Sequence, residues 1–213
     1  LNELAKNLPV FLLTTVAVAF IRQSGLRGGS ILVPAIWALG AWLPAGISQS
    51  RPTRTRPLKS LLPTALKYYI LSSIIVFPLF GGGFFLYCRM GLPYPEMGLP
   101  PGVSLTKWIF YQFLFVGIFE ELFFREYIYS SAKRIALPGR PETAWMHWVP
   151  IVYSALLFGI AHVIVDMNPA KFIVFFPGLL FAWLRARTGS LLAPVLSHGS
   201  SNVFYLLLLK SIS

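Results

Sequence analysis

The sequence predicts an all-α fold, a polytopic membrane helix bundle of about seven transmembrane helices around a polar intramembrane cavity. Three observations carry this reading. Of 213 residues, 56% are hydrophobic and only 12% charged, against about 25% charged in ordinary soluble domains. The apolar residues gather into seven runs, approximately Leu8–Ile21, Ile31–Ile47, Leu66–Tyr87, Trp108–Tyr129, Trp148–Val165, Phe172–Leu184 and Leu191–Leu209. Within three of those runs, carboxylates, imidazoles and an amide recur at helical spacing, and such groups at membrane depth must be satisfied by one another.

The first and sixth runs fall short of the ~20 residues that a spanning helix needs, so they must borrow flanking residues or sit partly inside protein. The first lacks a small-x-small cleavage pattern and is read as a spanning helix rather than a signal peptide. In the third, Pro78 and Gly81-Gly82-Gly83 favour a kink or local opening, although both residue types are common in membrane helices. The stretch Gly91–Gly102, with Pro93, Pro95, Pro100 and Pro101, reads as an irregular connection. No internal repeat and no long linker appears, so residues 1–213 form one integral membrane domain, with the chemistry concentrated in about 108–209.

A net charge of +11 raises the question of nucleic acid. The basic residues lie between apolar runs without interleaved stacking aromatics in a polar setting, which fits positive-inside topology and excludes a nucleic-acid partner. With the N-terminus cytoplasmic, eleven Lys and Arg fall on the inner side: Lys6, the five of Arg51–Lys67, three of Lys133–Arg140, Arg185 and Arg187. Six fall outside: Arg22, Arg27, Arg89, Lys107, Lys171 and Lys210. Trp145 and Trp148 would anchor the fifth helix at the inner interface. This predicts a multi-pass protein of a bacterial inner membrane, or of a eukaryotic endoplasmic reticulum, with the lipid bilayer as its constant partner. Cys88 is the single cysteine, which excludes an internal disulfide and a multi-cysteine metal site.

The fourth run carries Glu120-Glu121-Leu122-Phe123-Phe124-Arg125-Glu126, and each charge near a bilayer centre costs roughly 2.5 to 3.5 kcal/mol on insertion scales. Glu121 and Arg125 are i,i+4 and can pair, while Glu120 points about 100° away and is left free. Phe158 and His162 share a face of the fifth helix; His198 and Asn202 share a face of the seventh. Gly159, Ala161, Gly199, Ser200 and Ser201 let helices approach around them. Any one of these residues could be structural, a buried ion pair or interhelical glue. Glu120 with two histidines and Asn202 is harder to explain that way.

A carboxylate and an imidazole beside a water form a general base, and Asn202 Nδ2 or a histidine N–H suits a developing oxyanion. No Ser pairs with a His or Lys in an evident dyad, and the membrane runs hold no pair of aspartates, which argues against serine and aspartyl intramembrane proteolysis. Hydrolysis of an amide follows. Counting 1.5 Å per residue, Glu120 lies ~15 Å and His198 ~12 Å from their inner helix ends, but His162 lies ~21 Å from Trp148. The pocket is thus expected to open to the cytoplasm, with His162 deeper than its partners.

Glu120-Glu121-x-x-x-Arg125, Phe158-x-x-x-His162 and His198-x-x-x-Asn202, in that order, resemble the three motifs of the CAAX protease and bacteriocin-processing family. Its members, also called CPBP or Abi proteins, include the Ras-converting CAAX endopeptidase and are regarded as intramembrane glutamic endopeptidases. The resemblance covers about Trp108–Leu209. It implies that Glu120 with His162 activates water, that His198 and Asn202 stabilise the oxyanion, that Glu121 and Arg125 orient the site, and that Phe158 shapes the cavity. It implies no metal and no cofactor, and a membrane protein or lipidated peptide as substrate. Three other readings remain open: a zinc protease using Glu120, His162 and His198, a bacteriocin-immunity or scaffold protein without activity, and a transporter, against which the lack of inverted halves counts.

Overall fold

Helices form at each apolar run, and the residues that punctuate the runs set their ends. The structure, a computed structural model, describes residues 2–26, 28–47, 58–91, 98–136 and 147–212. The expectations for Arg27, Arg51, Arg54, Arg56, Pro93, Pro95, Arg140 and Trp145 lie outside these residues. Helices α1 (Asn2–Gln23) and α2 (Gly29–Ile47) are joined by a turn in which Gly25 and Gly28 adopt φ of +64° and +93°, a conformation open to glycine at no steric cost. Helix α3 (Leu58–Arg89) passes through Pro78 and the three glycines as one continuous helix, so the anticipated local opening does not occur. Gly81 instead lets the Phe204 ring approach: a Cβ there would lie 3.3 Å from it.

The fourth run becomes a composite helix over residues 105–136. Ser104 caps its start by accepting from the Lys107 N–H at 3.3 Å, satisfying one of the free first-turn donors. It then alternates between α4 (Leu105–Tyr111), a π segment Gln112–Gly117, α5 (Ile118–Glu121), a second π segment Leu122–Tyr129 and α6 (Ser130–Ala136). The two π segments bracket the paired acids. Widened turns of this kind shift side chains off the 3.6-residue register and often mark functional sites.

Helix α7 (Trp148–Asp166) ends at Met167, the single non-glycine residue with positive φ (50°) among the described residues. Asn168 then caps a 3₁₀ turn, Pro169–Val174, that runs directly into α8 (Phe175–Thr188). The short sixth run is lengthened in this way: Pro169–Thr188 is 20 residues and apolar enough to span a membrane, as are α3, α7 and α9 (Leu192–Ile212). α1 and α2 add shorter apolar helices.

The main core joins Phe11 and Val18 of α1, Trp37 of α2, Phe123, Phe124 and Ile128 of the second π segment, Phe158 of α7 and Phe181 of α8. Gly40 of α2 makes room for Thr14 of α1 and Phe123, since a Cβ at that position would collide with both. A smaller cluster of Ala65, Leu184 and Ala193 fastens α3 to α8 and α9. At one end of the bundle Asp166 pairs with Arg22 at 2.7 Å and Lys171 at 3.4 Å, and Gln23 donates to the Val165 carbonyl. At the other, Arg185 pairs with Glu126 at 2.7 Å and Arg187 donates to Tyr68. Arg22 and Lys171 thus share one end and Arg185 and Arg187 the other, the grouping that the loop count predicts.

Candidate active site

Glu121 and Arg125 are both fully buried, with Glu121 Oε2 3.1 Å from Arg125 Nε across one turn of the composite helix. Arg125 Nη1 donates to Ser154 Oγ at 3.1 Å, and Ser154 passes its own proton to the Phe124 carbonyl at 2.8 Å. Its guanidinium also lies 4.8 Å from the centroid of Phe158, with Phe181 and Phe124 at 5.7 and 5.9 Å. Ring faces attract a desolvated cation. They offset part of the cost of burying Arg125, whose Nη2 has no hydrogen-bond partner among the described residues.

The second oxygen of Glu121 is equally committed. Oε1 lies 2.9 Å from His198 Nδ1, across 77 residues of sequence. Phe181 stacks on the His198 ring at 5.0 Å and 15°, while Phe158 meets it edge-on at 5.7 Å. A carboxylate can only accept from Nδ1, so this bond places the His198 proton on Nδ1 and turns Nε2 toward the opposite side. His162 is held in the same manner by its own helix: Nδ1 lies 3.0 Å from the Phe158 carbonyl, and the two rings are 4.4 Å apart. Its Nε2 is likewise freed.

Both freed nitrogens point at one atom. Glu120 Oε2 lies 3.8 Å from His162 Nε2 and 3.8 Å from His198 Nε2, and it is buried with no hydrogen-bond partner among the described residues. These separations exceed hydrogen-bond length. The two bonded Nδ1 positions make each Nε2 an acceptor in the neutral ring, so three acceptors face one another. A group carrying its own protons, such as a water or a hydroxyl, can bridge them.

Asn202 belongs to the neighbouring part of the site. Its Nδ2 donates to Gln112 Oε1 at 2.7 Å, and two residues earlier Ser200 is 2.8 Å from Tyr69 of α3. Asn202 and Ser201 border a cavity of about 780 Å³ between α3, the 3₁₀–α8 run and α9, with otherwise mostly apolar walls that include Phe77, Phe80 and Phe176, and with Lys171 as its charged lining residue. Close helix approach is built in. A Cβ on Gly199 would lie 2.5 Å from the Phe113 ring, and one on Gly117 would lie 3.4 Å from the Val195 carbonyl.

Every residue singled out in the sequence is therefore in this neighbourhood: Glu120, His162 and His198 together, Glu121, Arg125 and Phe158 behind them, and Asn202 beside the cavity. The depth expectation for His162 is corrected, because its Nε2 is as near to Glu120 as that of His198. Counting Glu120 from Tyr129 stops short of the helix end: the composite helix runs on to Ala136, sixteen residues from Glu120, against fourteen from Trp148 to His162. Ser154 and Gln112 were not anticipated. Ser154 lies four and eight residues before Phe158 and His162, on the same face, so its spacing was a usable signal. Gln112 is the one amide in the run Trp108–Tyr129. Among the described residues no group of three His, Cys, Asp or Glu side chains is arranged to hold a metal ion.

Residues 102–204 match the family described as type II CAAX prenyl endopeptidase Rce1-like. That stretch contains Glu120 through Asn202. No curated protein and no solved structure matches the chain.

Proposed function

From the match of residues 102–204 to the family described as type II CAAX prenyl endopeptidase Rce1-like, we propose that this chain is an intramembrane glutamate-dependent endopeptidase. The observation that carries the reading is Glu120 Oε2, buried with no hydrogen-bond partner among the described residues, facing the Nε2 atoms of His162 and His198 at 3.8 Å each. A water among these three acceptors would donate one proton to Glu120 while its oxygen attacks the scissile carbonyl carbon. The new C–O bond forms as the carbonyl becomes an oxyanion, to which an N–H of Asn202 would donate. Collapse breaks the C–N bond, and the proton taken by Glu120 returns to the leaving nitrogen, giving a carboxylic acid and an amine.

This scheme refines the role that the family resemblance implies for His198. With Nδ1–H given to Glu121, its Nε2 donates to an oxyanion only as the doubly protonated ring. The neutral ring assists His162 in holding the water instead. Glu121 and Arg125 keep both tasks possible by fixing the ring.

The substrate reading rests on the cavity. Its apolar walls beside Asn202 suit a hydrophobic or lipidated tail near the cleaved bond, as the family description of prenyl substrates suggests. The Lys and Arg count of the loops supports a cytoplasmic N-terminus, in an inner membrane of bacterial type or a eukaryotic endoplasmic reticulum.

The test uses protein reconstituted in lipid vesicles, wild type beside Glu120→Gln, with a pool of prenylated, unprenylated and hydrophobic tail peptides read by mass spectrometry. Cleavage by wild type, reduced by about 10² to 10⁴ in the variant as expected for loss of a general base, supports the reading and names the substrate class. Undiminished cleavage by Glu120→Gln removes Glu120 from the mechanism. Activity that disappears with a chelator and returns with zinc would shift the assignment to a metal enzyme.

A further inference from the structure

Gln112 is buried, 8% exposed, in a helix that passes through apolar surroundings. Its Oε1 accepts from Asn202 Nδ2 at 2.7 Å and joins segments 90 residues apart. An amide nitrogen carries two protons. Committing one of them to Gln112 fixes the plane of the Asn202 side chain, and with it the direction of the second.

The helix pair that brings them together is built for that contact. Gly117 and Gly199 remove the two Cβ atoms that would hold the first π segment and α9 apart, and Phe113 packs into the space at Gly199. Gln112 opens the π segment, the point at which the composite helix leaves α-helical register. Nothing in ordinary packing needs an amide at this position.

Electrostatics give the pair a purpose. Both imidazoles have Nδ1 engaged, His162 with the Phe158 carbonyl and His198 with Glu121, so neither neutral ring offers an N–H toward Glu120. Asn202 is then a donor beside the site that does not depend on an extra proton. We propose that Gln112 is a positioning residue, which through Asn202 aims the oxyanion-binding N–H at the reacting carbonyl. This rests on the endopeptidase reading for its catalytic consequence. The hydrogen bond itself does not.

Two variants of equal length separate the acceptor from the space it fills. Gln112→Met keeps the volume and removes the acceptor; Gln112→Glu keeps an acceptor oxygen. With the peptide that wild type cuts, Gln112→Met is expected to lower kcat by about ten- to a hundredfold at unchanged KM, below the ~10² to 10³ that outright loss of an oxyanion donor costs. Gln112→Glu is expected to recover activity above Gln112→Met. In parallel, selective ¹⁵Nδ2 labelling of asparagine yields only four side-chain amides, those of Asn2, Asn7, Asn168 and Asn202, and the hydrogen-bonded proton of Asn202 should lose its downfield shift and exchange protection in Gln112→Met. Wild-type kcat in Gln112→Met, equal impairment of both variants, or an unmoved Asn202 signal would each overturn the proposal. If Glu120→Gln still cuts while Gln112→Met loses the amide signal, it is the general-base reading that fails and the hydrogen bond that stands.

Discussion

Helices α7 and α3 are both long and apolar enough to cross a membrane, yet 44% of the most apolar stretch of α7 is buried inside the protein and only 11% of that of α3. The difference separates a structural centre from a wall. α7 is packed by α1, the second π segment and α8, and it delivers Ser154, Phe158 and His162 to the site on one face. α3 touches the rest through Ala65, the Phe77–Phe204 stack at 4.9 Å and the Tyr69–Ser200 bond, and Phe77 with its neighbours Phe80 and Phe84 also forms one boundary of the cavity. Chemistry is held by the helices that cannot move without breaking buried polar contacts. Access is bordered by the helix with least to lose.

Substitutions on either side should expose that contrast. The largest effect belongs to His162→Ala, which removes the α7 imidazole facing Glu120 and should reduce cleavage by about 10² to 10⁴ while the melting temperature in detergent stays within a few degrees of wild type. Arg125→Ala should act on folding as well, because it leaves Glu121 buried without its counterion; removing one partner of a buried pair costs roughly 3 to 5 kcal/mol. Equal thermal unfolding of that variant and wild type would show that Phe158, Phe181 and Ser154 contribute little through the guanidinium.

Gly199→Ala places a methyl 2.5 Å from the half-buried Phe113 ring, which must shift to make room. Overpacking of this kind costs about 1 to 3 kcal/mol, and unfolding in detergent should register it. The smallest effect, and the opposite sign, is expected in α3. A Cβ at Gly82 meets nothing within 4 Å, so Gly82→Ala should stabilise the helix by about 0.5 to 1 kcal/mol. If the extra rigidity also slows cleavage with the site unaltered, α3 has to flex for substrate to enter.

Polar residues are conspicuous in an apolar chain, which is why the motif residues could be read directly. Glu121 with Arg125 needed only the i,i+4 rule, and the freedom of Glu120 followed from its place on another face. Two features were hidden for physical reasons. The composite helix departs from 3.6-residue periodicity at Gln112 and again at Leu122, so a helical wheel assigns Gln112 no particular neighbour. The Glu121–His198 bond is a tertiary contact between motifs, and spacing within one helix contains no trace of it. The glycine triplet of α3 was ambiguous for a different reason: a glycine marks either flexibility or close packing, and only the Phe204 ring against Gly81 decides in favour of packing at that position.

The distance in sequence between Glu121 and His198 has a consequence for biosynthesis. At about 5 to 20 residues per second, a ribosome needs roughly 4 to 15 seconds to supply the intervening stretch of 77 residues. During that delay Glu121 enters the lipid without its histidine. Arg125, one turn away in the same helix, arrives with it and can neutralise it from the first moment of insertion. A counterion from another helix could not. On this view the arginine is a chaperone in cis, shielding a charge until the fold that will use it has been made.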